Sequence, residues 1–327
     1  MASKLTLFFT LAWALLPLIL FLFPLLIESR STPTSHLSDK VPHYHHRQPF
    51  EFIKKLEGSQ KGETIKGIHQ LKQYLEKFGY LPLHSNTTTT EGTNDDSFDD
   101  LLETAIKSYQ HNFHLNISGQ LDAATAKQMM IPRCGVADIV NEKRGNWRHL
   151  SSTLLHSISH YSLFQYSKRW PPSKTHLTYG FLNGVQVMDM KNLSSIISGA
   201  FAKWQAVTNF TLKETQNVES ANIKIGFFSR SHGDGSPFDG RKGVLAHAYE
   251  PTVGVVHFDT DERWAINPSF NEFFDVKTVA MHEIGHLLGL DHSNDPNARM
   301  YPTVHGGRRK VELGADDIQG IRTLYGL

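Results

Sequence analysis

The 327-residue chain has a single cysteine, so it cannot form an internal disulfide. It has no excess of charge of one sign, because 33 Lys and Arg residues are matched by 32 Asp and Glu residues. Such a balance argues against a protein that coats nucleic acid or holds a membrane surface through basic residues. No long hydrophobic run follows residue 27, which argues against further membrane spans and against a GPI-anchor signal.

The one long apolar stretch runs from Leu5 to Ile27 and follows Lys4, a pattern typical of secretory signals. We expect residues 1–28 to be a signal peptide and the rest of the chain to be extracellular, in a cell wall, apoplast or matrix. Because the stretch is nearly long enough to span a bilayer, a retained signal anchor is the alternative. Four Asn-X-Ser/Thr sequons are compatible with glycosylation there, at Asn86, Asn116, Asn192 and Asn209.

The pattern of apolar residues divides the chain into two folding units. Helical spacing within residues 50–80, 101–109 and 122–130 predicts a small all-helical domain over about residues 50–131. Residues 137–174 lack a sustained period and indicate an exposed connector. The second unit has strand-like runs and amphipathic stretches in an α/β order. Its strands are predicted at 176–181, 210–213, 223–228, 244–249 and 255–258, and its helices at 193–207, 276–290 and 316–325.

The most specific motif lies in the predicted helix over 276–290. His282 and His286 are four residues apart on one helical face, so both imidazoles can reach one metal ion. Gly289 allows a sharp turn after the helix, which lets His292 fold back as a third ligand. Three protein ligands with one open position are the common arrangement of catalytic Zn²⁺. Glu283, beside the first ligand, is the candidate general base.

This HExxHxxGxxH pattern resembles the signature of the metzincin metallopeptidases, in which a Met-containing turn follows. Residues 298–302 are similar to that turn, and the resemblance places Met300 under the metal as an apolar floor. Arg299 stands where an apolar residue is more usual. The implied fold is a metzincin catalytic domain, α+β or α/β, with a twisted, mostly parallel sheet, an antiparallel edge strand and three helices.

The lone cysteine lies in a second motif, because residues 132–138 (PRCGVAD) resemble the cysteine switch of the matrix metalloproteinases. The resemblance implies a latent zymogen in which the Cys134 thiolate fills the open position of the zinc. Arg133 and Asp138 inherit the bracing ion pair, and Ala137 replaces the usual proline. The implied propeptide covers 29–160, with the helical peptidoglycan-binding-like domain at 50–131, the switch at 132–138 and the connector at 139–160. The catalytic domain covers 161–327.

Residues 232–262 resemble the part of matrix metalloproteinases that binds further metal ions. Three histidines and one aspartate suit a closed, four-coordinate structural zinc site. By resemblance the ligands of this zinc are His232, Asp234, His247 and His257. The calcium ligands carry over as the side chains of Asp239, Asp259 and Glu262 and the backbone carbonyls of Gly240, Lys242 and Val244.

The resemblance also implies how substrate binds. An extended peptide adds to the edge strand that contains Leu245 and Ala246, and the side chain after the cleaved bond enters an apolar pocket. The pocket walls include His282 and the segment from Pro302 to Val304, and Thr278 lies near the base. Because Thr278 is small, we expect a deep pocket that prefers Leu or a larger apolar residue.

The predicted activity is therefore zinc-dependent endopeptide hydrolysis of extracellular proteins or peptides, most like the short plant-type matrixins without a hemopexin domain. The expected partners are substrates and an activating protease, with a monomeric chain, no nucleic acid, and a membrane only if the signal segment is retained. A catalytically silent zinc-binding decoy is the alternative, against which the intact Glu283 speaks. An astacin-like peptidase is a second alternative, which the cysteine switch and the lack of disulfide-forming cysteines disfavour. Sugar binding by the helical domain is a further alternative, but its fold alone does not confer it.

Overall fold

The computed structural model describes residues 48–82, 95–139, 161–163, 169–182 and 187–327. The predicted signal peptide, the sequon at Asn86 and nearly all of the predicted connector lie outside these residues. Within the described ranges, no helix combines the length and the apolar character that crossing a bilayer requires. The described sequon residues Asn116, Asn192 and Asn209 are all exposed.

The residues before the switch motif form a helical domain with its own core. A 3₁₀ helix at Glu51–Leu56 precedes α1 (Ile68–Lys77), α2 (Asp100–Asn112) and α3 (Ala123–Met129). The Asp99 and Asp122 carboxylates cap α2 and α3 by accepting hydrogen bonds of 2.8 Å from backbone N–H groups in the first turn. Apolar side chains of all these helices pack into one cluster. The predicted all-helical domain is confirmed.

The rest of the described chain is built on a six-stranded sheet. The described strands, which belong to this main sheet and to two small ones, are β1 (Arg133–Cys134), β2 (Tyr161–Leu163), β3 (His176–Phe181), β4 (Thr211–Glu214), β5 (Ile223–Phe228), β6 (Val244–Ala248), β7 (Val255–Asp259), β8 (Trp264–Ala265), β9 (Phe274–Asp275) and β10 (Leu290–Ser293). The main sheet has the order β1-β6-β7-β5-β3-β4. Strands β6 and β7 are antiparallel, and the other neighbouring pairs are parallel. The predicted mostly parallel sheet with an antiparallel edge strand is confirmed: β6 is that strand, and β1 pairs with its outer side.

Strand β1 belongs to the switch motif, and it pairs with β6 at the edge of the main sheet. Two small sheets accompany the main one, because β10 pairs antiparallel with β2 and β8 pairs parallel with β9. Between β4 and β5 the chain makes a short 3₁₀ helix at Val218–Ser220.

Three helices pack with the sheet, as predicted: α4 (Met190–Gln205), α5 (Val276–Leu287) and α6 (Ala315–Tyr325). Helix α4 buries a stripe of apolar residues at helical spacing, and its Trp204 donates an indole hydrogen bond of 2.9 Å to the Met281 carbonyl of α5. Each such large buried side chain contributes roughly 1.5–3 kcal/mol to folding. The α4–α5 contact therefore fixes the helix that carries the HExxH motif.

Helix α5 ends at Leu287, three residues earlier than the predicted end at residue 290. The cause is Gly289, whose φ of 97° is rarely adopted by residues with a side chain. This glycine turns the chain from α5 into β10. The turn that the sequence predicted is confirmed, and it shortens the helix.

Candidate active site

Three imidazoles converge where α5 meets β10. His282 Nε2 lies 3.2 Å from His286 Nε2 and 3.2 Å from His292 Nε2. The first two histidines are one helical turn apart on α5, and the third arrives through the turn at Gly289. All three are buried, and together with Cys134 their ligand atoms lie within 4.8 Å of one another.

The second ring nitrogen of each histidine already has an acceptor. His282 Nδ1 lies 2.8 Å from the Arg299 carbonyl, and His286 Nδ1 lies 2.7 Å from the Leu290 carbonyl. His292 Nδ1 lies 2.8 Å from a carboxylate oxygen of Asp138. Because these groups only accept, each Nδ1 carries the proton and each Nε2 presents a lone pair to the other two.

Three lone pairs facing one another at this distance repel unless a cation lies among them. Burial, together with the neighbouring imidazoles, lowers the pKa values of His282 and His286 well below the usual value, so protons do not supply that charge near neutral pH. Neutral imidazoles with anchored Nδ1 atoms are the donor set that Zn²⁺ takes in catalytic sites. The residues present therefore fit a zinc ion.

The turn after β10 is packed directly against α5. A side chain at Gly285 would place its Cβ 2.2 Å from Met300 Sδ, so only glycine leaves room for this methionine beneath the histidines. The Asp317 carboxylate holds the turn by accepting hydrogen bonds from the backbone N–H groups of Arg299 and Met300, at 2.6 and 2.9 Å. The Arg299 guanidinium donates a hydrogen bond to the Glu312 carbonyl at 3.1 Å.

Glu283 is buried beside these ligands, and neither of its carboxylate oxygens has a hydrogen-bond partner among the described groups. Burial raises the pKa of this carboxyl to about 8, an effect that the nearby Cys134 thiol opposes. A buried carboxyl whose pKa is raised in this way is suited to take up and release protons near neutral pH.

The switch segment occupies the cleft in front of the histidines. Cys134 Sγ lies 3.6 Å from His286 Nε2. The segment is held on one side by β6, where the Gly135 N–H donates to the Ala246 carbonyl at 2.8 Å. On the other side the Cys134 N–H donates to Pro302 and the Val304 N–H donates to Pro132, at 2.9 and 2.8 Å.

The predicted ion pair of the switch is present, since the Arg133 guanidinium donates to the Asp138 carboxylate and both side chains are fully buried. The Arg133 guanidinium also lies 3.6 Å from the centre of the Phe78 ring of the helical domain. Burial acts to raise the pKa of Asp138, but the charge of Arg133 and the hydrogen bond from His292 hold it at about 2. Asp138 therefore stays ionised throughout the neutral and mildly acidic range.

The second predicted metal cluster also assembles. One Asp234 carboxylate oxygen lies 2.9 Å from His232 Nε2, 2.7 Å from His247 Nε2 and 2.9 Å from His257 Nδ1. The four ligand atoms lie within 4.8 Å of one another. Three imidazole nitrogens around one carboxylate oxygen match the donor set of a closed zinc site.

The predicted calcium ligands are brought together in part. Burial raises the pKa values of Asp239, Asp259 and Glu262, that of Asp259 to about 7 and that of Glu262 to about 8, and the charge of Asp239 adds to the rise at the other two. One oxygen each of Asp259 and Glu262 is buried without a partner, which indicates a place for a cation. Within the described residues, this trio is not among the clusters whose ligand atoms lie within 4.8 Å.

Around this acidic trio, Lys242 and Val244 contribute backbone N–H groups that donate to the Glu262 and Asp239 carboxylates. The predicted ligand role of the carbonyls of Lys242, Val244 and Gly240 stays a prediction. Gly240 has φ 95°, and a side chain there would place its Cβ 2.6 Å from the Arg230 guanidinium.

Three of the predicted substrate residues, Ala246, Pro302 and Val304, make backbone hydrogen bonds with the switch segment. Leu245 and Ala246 lie on β6, while Pro302 and Val304 lie on the opposite wall. Thr278 is buried in the first turn of α5, where its hydroxyl accepts a hydrogen bond of 2.9 Å from the Lys310 N–H. Thr278 thus ties the chain after residue 304 to the helix that carries the first ligand.

Two functional side chains escaped the sequence analysis. Asp317 holds the turn around Met300, and the only signal for it is a pair of acidic residues in the first turn of α6. Tyr80 donates a hydrogen bond of 2.8 Å to Asp138, a contact between residues 58 positions apart that no local pattern predicts.

Comparison with known proteins supports the assignment that this geometry indicates. Residues 169–326 match the matrixin family model, and residues 65–129 match the model of a peptidoglycan binding domain. The chain is 42% identical over 290 residues to metalloendoproteinase 2-MMP of Arabidopsis thaliana, a match that covers 82% of this chain and 73% of that protein. It is 44% identical over 271 residues to metalloendoproteinase 1 of Glycine max, with 81% and 84% covered.

A more distant relative is the neutrophil collagenase of Homo sapiens, which is 34% identical over 267 residues, or 80% of this chain and 50% of that protein. The predicted enzyme class and the predicted zinc and calcium cofactors are confirmed at the level of the family. The chain belongs to the matrixin family of metalloendopeptidases, which use catalytic and structural zinc together with calcium.

Proposed function

We propose that this chain is a secreted, latent endopeptidase that cleaves extracellular proteins or peptides before an apolar residue. The observation that carries the proposal is the convergence of three Nε2 atoms beside the buried Glu283 carboxylate, with the Cys134 sulfur at the same centre. His282, His286 and His292 would hold the catalytic zinc. Zinc bound there supplies a Lewis acid that polarises the scissile carbonyl and lowers the pKa of a water molecule.

Glu283 performs the proton transfers of the reaction. Its carboxylate accepts a proton from the attacking water and delivers it to the nitrogen of the departing amine. Its burial favours this role, because raising the pKa of this carboxyl to about 8 makes the carboxylate a stronger base toward the attacking water and brings its pKa closer to that of the departing amine.

Latency follows from the position of the switch segment. Residues 132–135 hydrogen-bond to both walls of the cleft, so a substrate peptide cannot pair with β6 while the segment is in place. Cys134 would be the fourth zinc ligand in this state. An activating protease cuts the connector, and the switch segment then leaves the cleft. The open position of the metal and the edge strand β6 then become accessible to substrate.

The structural zinc ligands in this proposal are His232, Asp234, His247 and His257, and the calcium ligands include Asp239, Asp259 and Glu262. Secretion by the segment at 1–28, a monomeric chain and glycosylation at Asn116, Asn192 and Asn209 complete the proposal. The exposure of these three asparagines supports it.

Thiol displacement is expected to switch the enzyme on. The purified full chain should hydrolyse a quenched fluorescent peptide slowly, and a mercurial that binds the Cys134 thiol should raise the rate by more than tenfold. A Cys134→Ser variant should be active without the mercurial and should not respond to it. Equal rates before and after the mercurial, with zinc bound, would contradict the proposed latency.

The residue after the cleaved bond should be Leu or a larger apolar side chain. Thr278 is a small side chain in the first turn of α5, and in this proposal the walls of the pocket are formed by Leu245, His282 and the chain from Pro302 to Val304. A peptide library that varies only this position should show at least a tenfold preference for Leu over Asp or Lys, because a charge loses its hydration in an apolar pocket. A preference for Asp or Lys would refute the assignment of the pocket.

A further inference from the structure

The Asp138 carboxylate does more than pair with Arg133. The oxygen that accepts from Arg133 also accepts a hydrogen bond of 2.8 Å from His292 Nδ1. Its other oxygen accepts a hydrogen bond of 2.8 Å from the Tyr80 hydroxyl. The Asp138 side chain and the His292 side chain are 0% and 2% exposed, so water does not compete for this contact.

The helical domain fixes the place of this carboxylate. The Asp138 N–H donates to the Phe78 carbonyl at 3.0 Å, and the Asn112 amide donates to the Tyr80 oxygen at 2.8 Å. Tyr80 and Asn112 belong to or follow the helices of that domain, and Tyr80 is buried. Apart from His292, the described groups that hydrogen-bond to Asp138 therefore lie in the predicted propeptide.

The three histidines differ in the origin of their Nδ1 acceptors. His282 and His286 donate to carbonyls of the catalytic domain itself, those of Arg299 and Leu290. His292 donates to a carboxylate from the propeptide. An acceptor at Nδ1 fixes the orientation and tautomer of a metal-binding imidazole and raises its basicity, and loss of such a partner typically costs 10- to 100-fold in metal affinity.

We propose that Asp138 is a positioning residue for the zinc ligand His292 in the latent chain. This inference rests on the proposed zinc site. The propeptide then acts on the metal twice, through the Cys134 sulfur directly and through Asp138 behind His292. Departure of the propeptide removes one zinc ligand, Cys134, and also the acceptor that orients a second ligand, His292. The difference in zinc retention between the latent chain and the free enzyme should therefore be larger than loss of the thiolate alone explains.

Zinc release from the latent full chain tests this proposal. All proteins carry Glu283→Gln, which prevents self-digestion, and all keep Cys134, so that the switch segment stays in the cleft and the thiolate is the same in every comparison. Zinc transfer to a chromogenic chelator is then followed in this parent and after addition of Asp138→Ala, Asp138→Asn or Tyr80→Phe. The two zinc ions should leave the protein in two kinetic phases. The phase of the structural zinc, whether it is the slower or the faster of the two, should be the same in all four proteins and serves as the internal reference.

Asp138→Ala is expected to speed the release of one zinc by roughly 10- to 100-fold. Asp138→Asn keeps an acceptor oxygen of the same shape and should recover most of the retention. Tyr80→Phe removes the bond to the other carboxylate oxygen and should stay within about threefold of the parent. Circular dichroism identifies any variant that has lost its fold.

Two results would overturn the inference: equal release from the parent and Asp138→Ala, or loss of zinc from Tyr80→Phe as fast as from Asp138→Ala. The second result would mean that loosening of the whole segment, and not the contact with His292, controls release. A cobalt-substituted set provides a second readout, because the visible spectrum of Co²⁺ should change between the parent and Asp138→Ala and be largely restored in Asp138→Asn. Failure of the parent to bind two zinc ions would instead contradict the proposed zinc centre.

Discussion

Replacing Glu283 by glutamine is expected to lower kcat/KM for peptide hydrolysis by about 10²- to 10⁴-fold while zinc remains bound. Glutamine has nearly the same shape but cannot accept the proton of the attacking water. The three histidines keep their Nδ1 acceptors, which come from Arg299, Leu290 and Asp138, so the metal centre should be unchanged. The measurement is the hydrolysis of a quenched fluorescent peptide after thiol displacement, together with the zinc content of each protein.

A matched control is Glu219→Gln, which makes the same chemical change on an exposed 3₁₀ helix and should leave kcat/KM within about twofold. An active Glu283→Gln variant would show that another group moves the proton. A wild-type chain that binds zinc and stays inert after thiol displacement would favour the silent zinc-binding alternative.

Replacing Asp234 by alanine is expected to reduce the bound zinc from two ions to one and to lower the melting temperature by more than about 10 °C. One oxygen of Asp234 lies within 2.9 Å of all three histidines of the second cluster, so its removal opens the coordination shell and leaves three buried imidazoles without a common partner. Structural zinc contributes on the order of 10 kcal/mol to folding in small zinc domains, and part of that free energy should be lost here. At about 2–4 °C per kcal/mol, a loss of a few kcal/mol gives the expected shift.

The control is Asp261→Ala, which removes a nearby carboxylate whose described ion pair is with Arg230. This variant should keep two zinc ions and a melting temperature within a few degrees of the wild type. Retention of both ions by Asp234→Ala, measured by atomic emission after gel filtration, would contradict the assignment of these ligands.

The parts of the site that depend on local spacing could be predicted from the sequence. His282 and His286 are four residues apart, so they lie on the same face of an α-helix. Gly289 after such a helix indicates a turn, which brings His292 back toward them. The three zinc ligands could therefore be predicted from a stretch of eleven residues. The helical and strand periods similarly predicted most elements within a few residues. Helix α5 was predicted too long because the apolar period continues through residue 290, whereas the backbone turn at Gly289 ends the helix first.

The parts that depend on contacts distant in sequence could not be predicted in this way. Asp138 and His292 are 154 positions apart, and Tyr80 reaches Asp138 across 58 positions. The resemblance to a known motif predicted the Arg133–Asp138 pair, but the same carboxylate oxygen also serves His292, which no spacing rule indicates. The support of the Met300 turn by Asp317 was missed for the same reason, because side chains that fold back onto backbone N–H groups leave no period in the sequence.

Under the proposed latency, the pairing of β1 with β6 has a consequence for the enzyme after its propeptide has gone. All five residues of β6 are buried in the full chain, and without β1 this strand would form the margin of the main sheet. Removal of the switch segment leaves a row of unsatisfied backbone groups on an open margin, which is a template for any extended chain. The same exposure that admits substrate thus makes the free enzyme prone to self-association and to digestion by its own copies. Substrate and inhibitor peptides should reduce this self-association and keep the enzyme in solution, because each pairs with β6 in the place of β1.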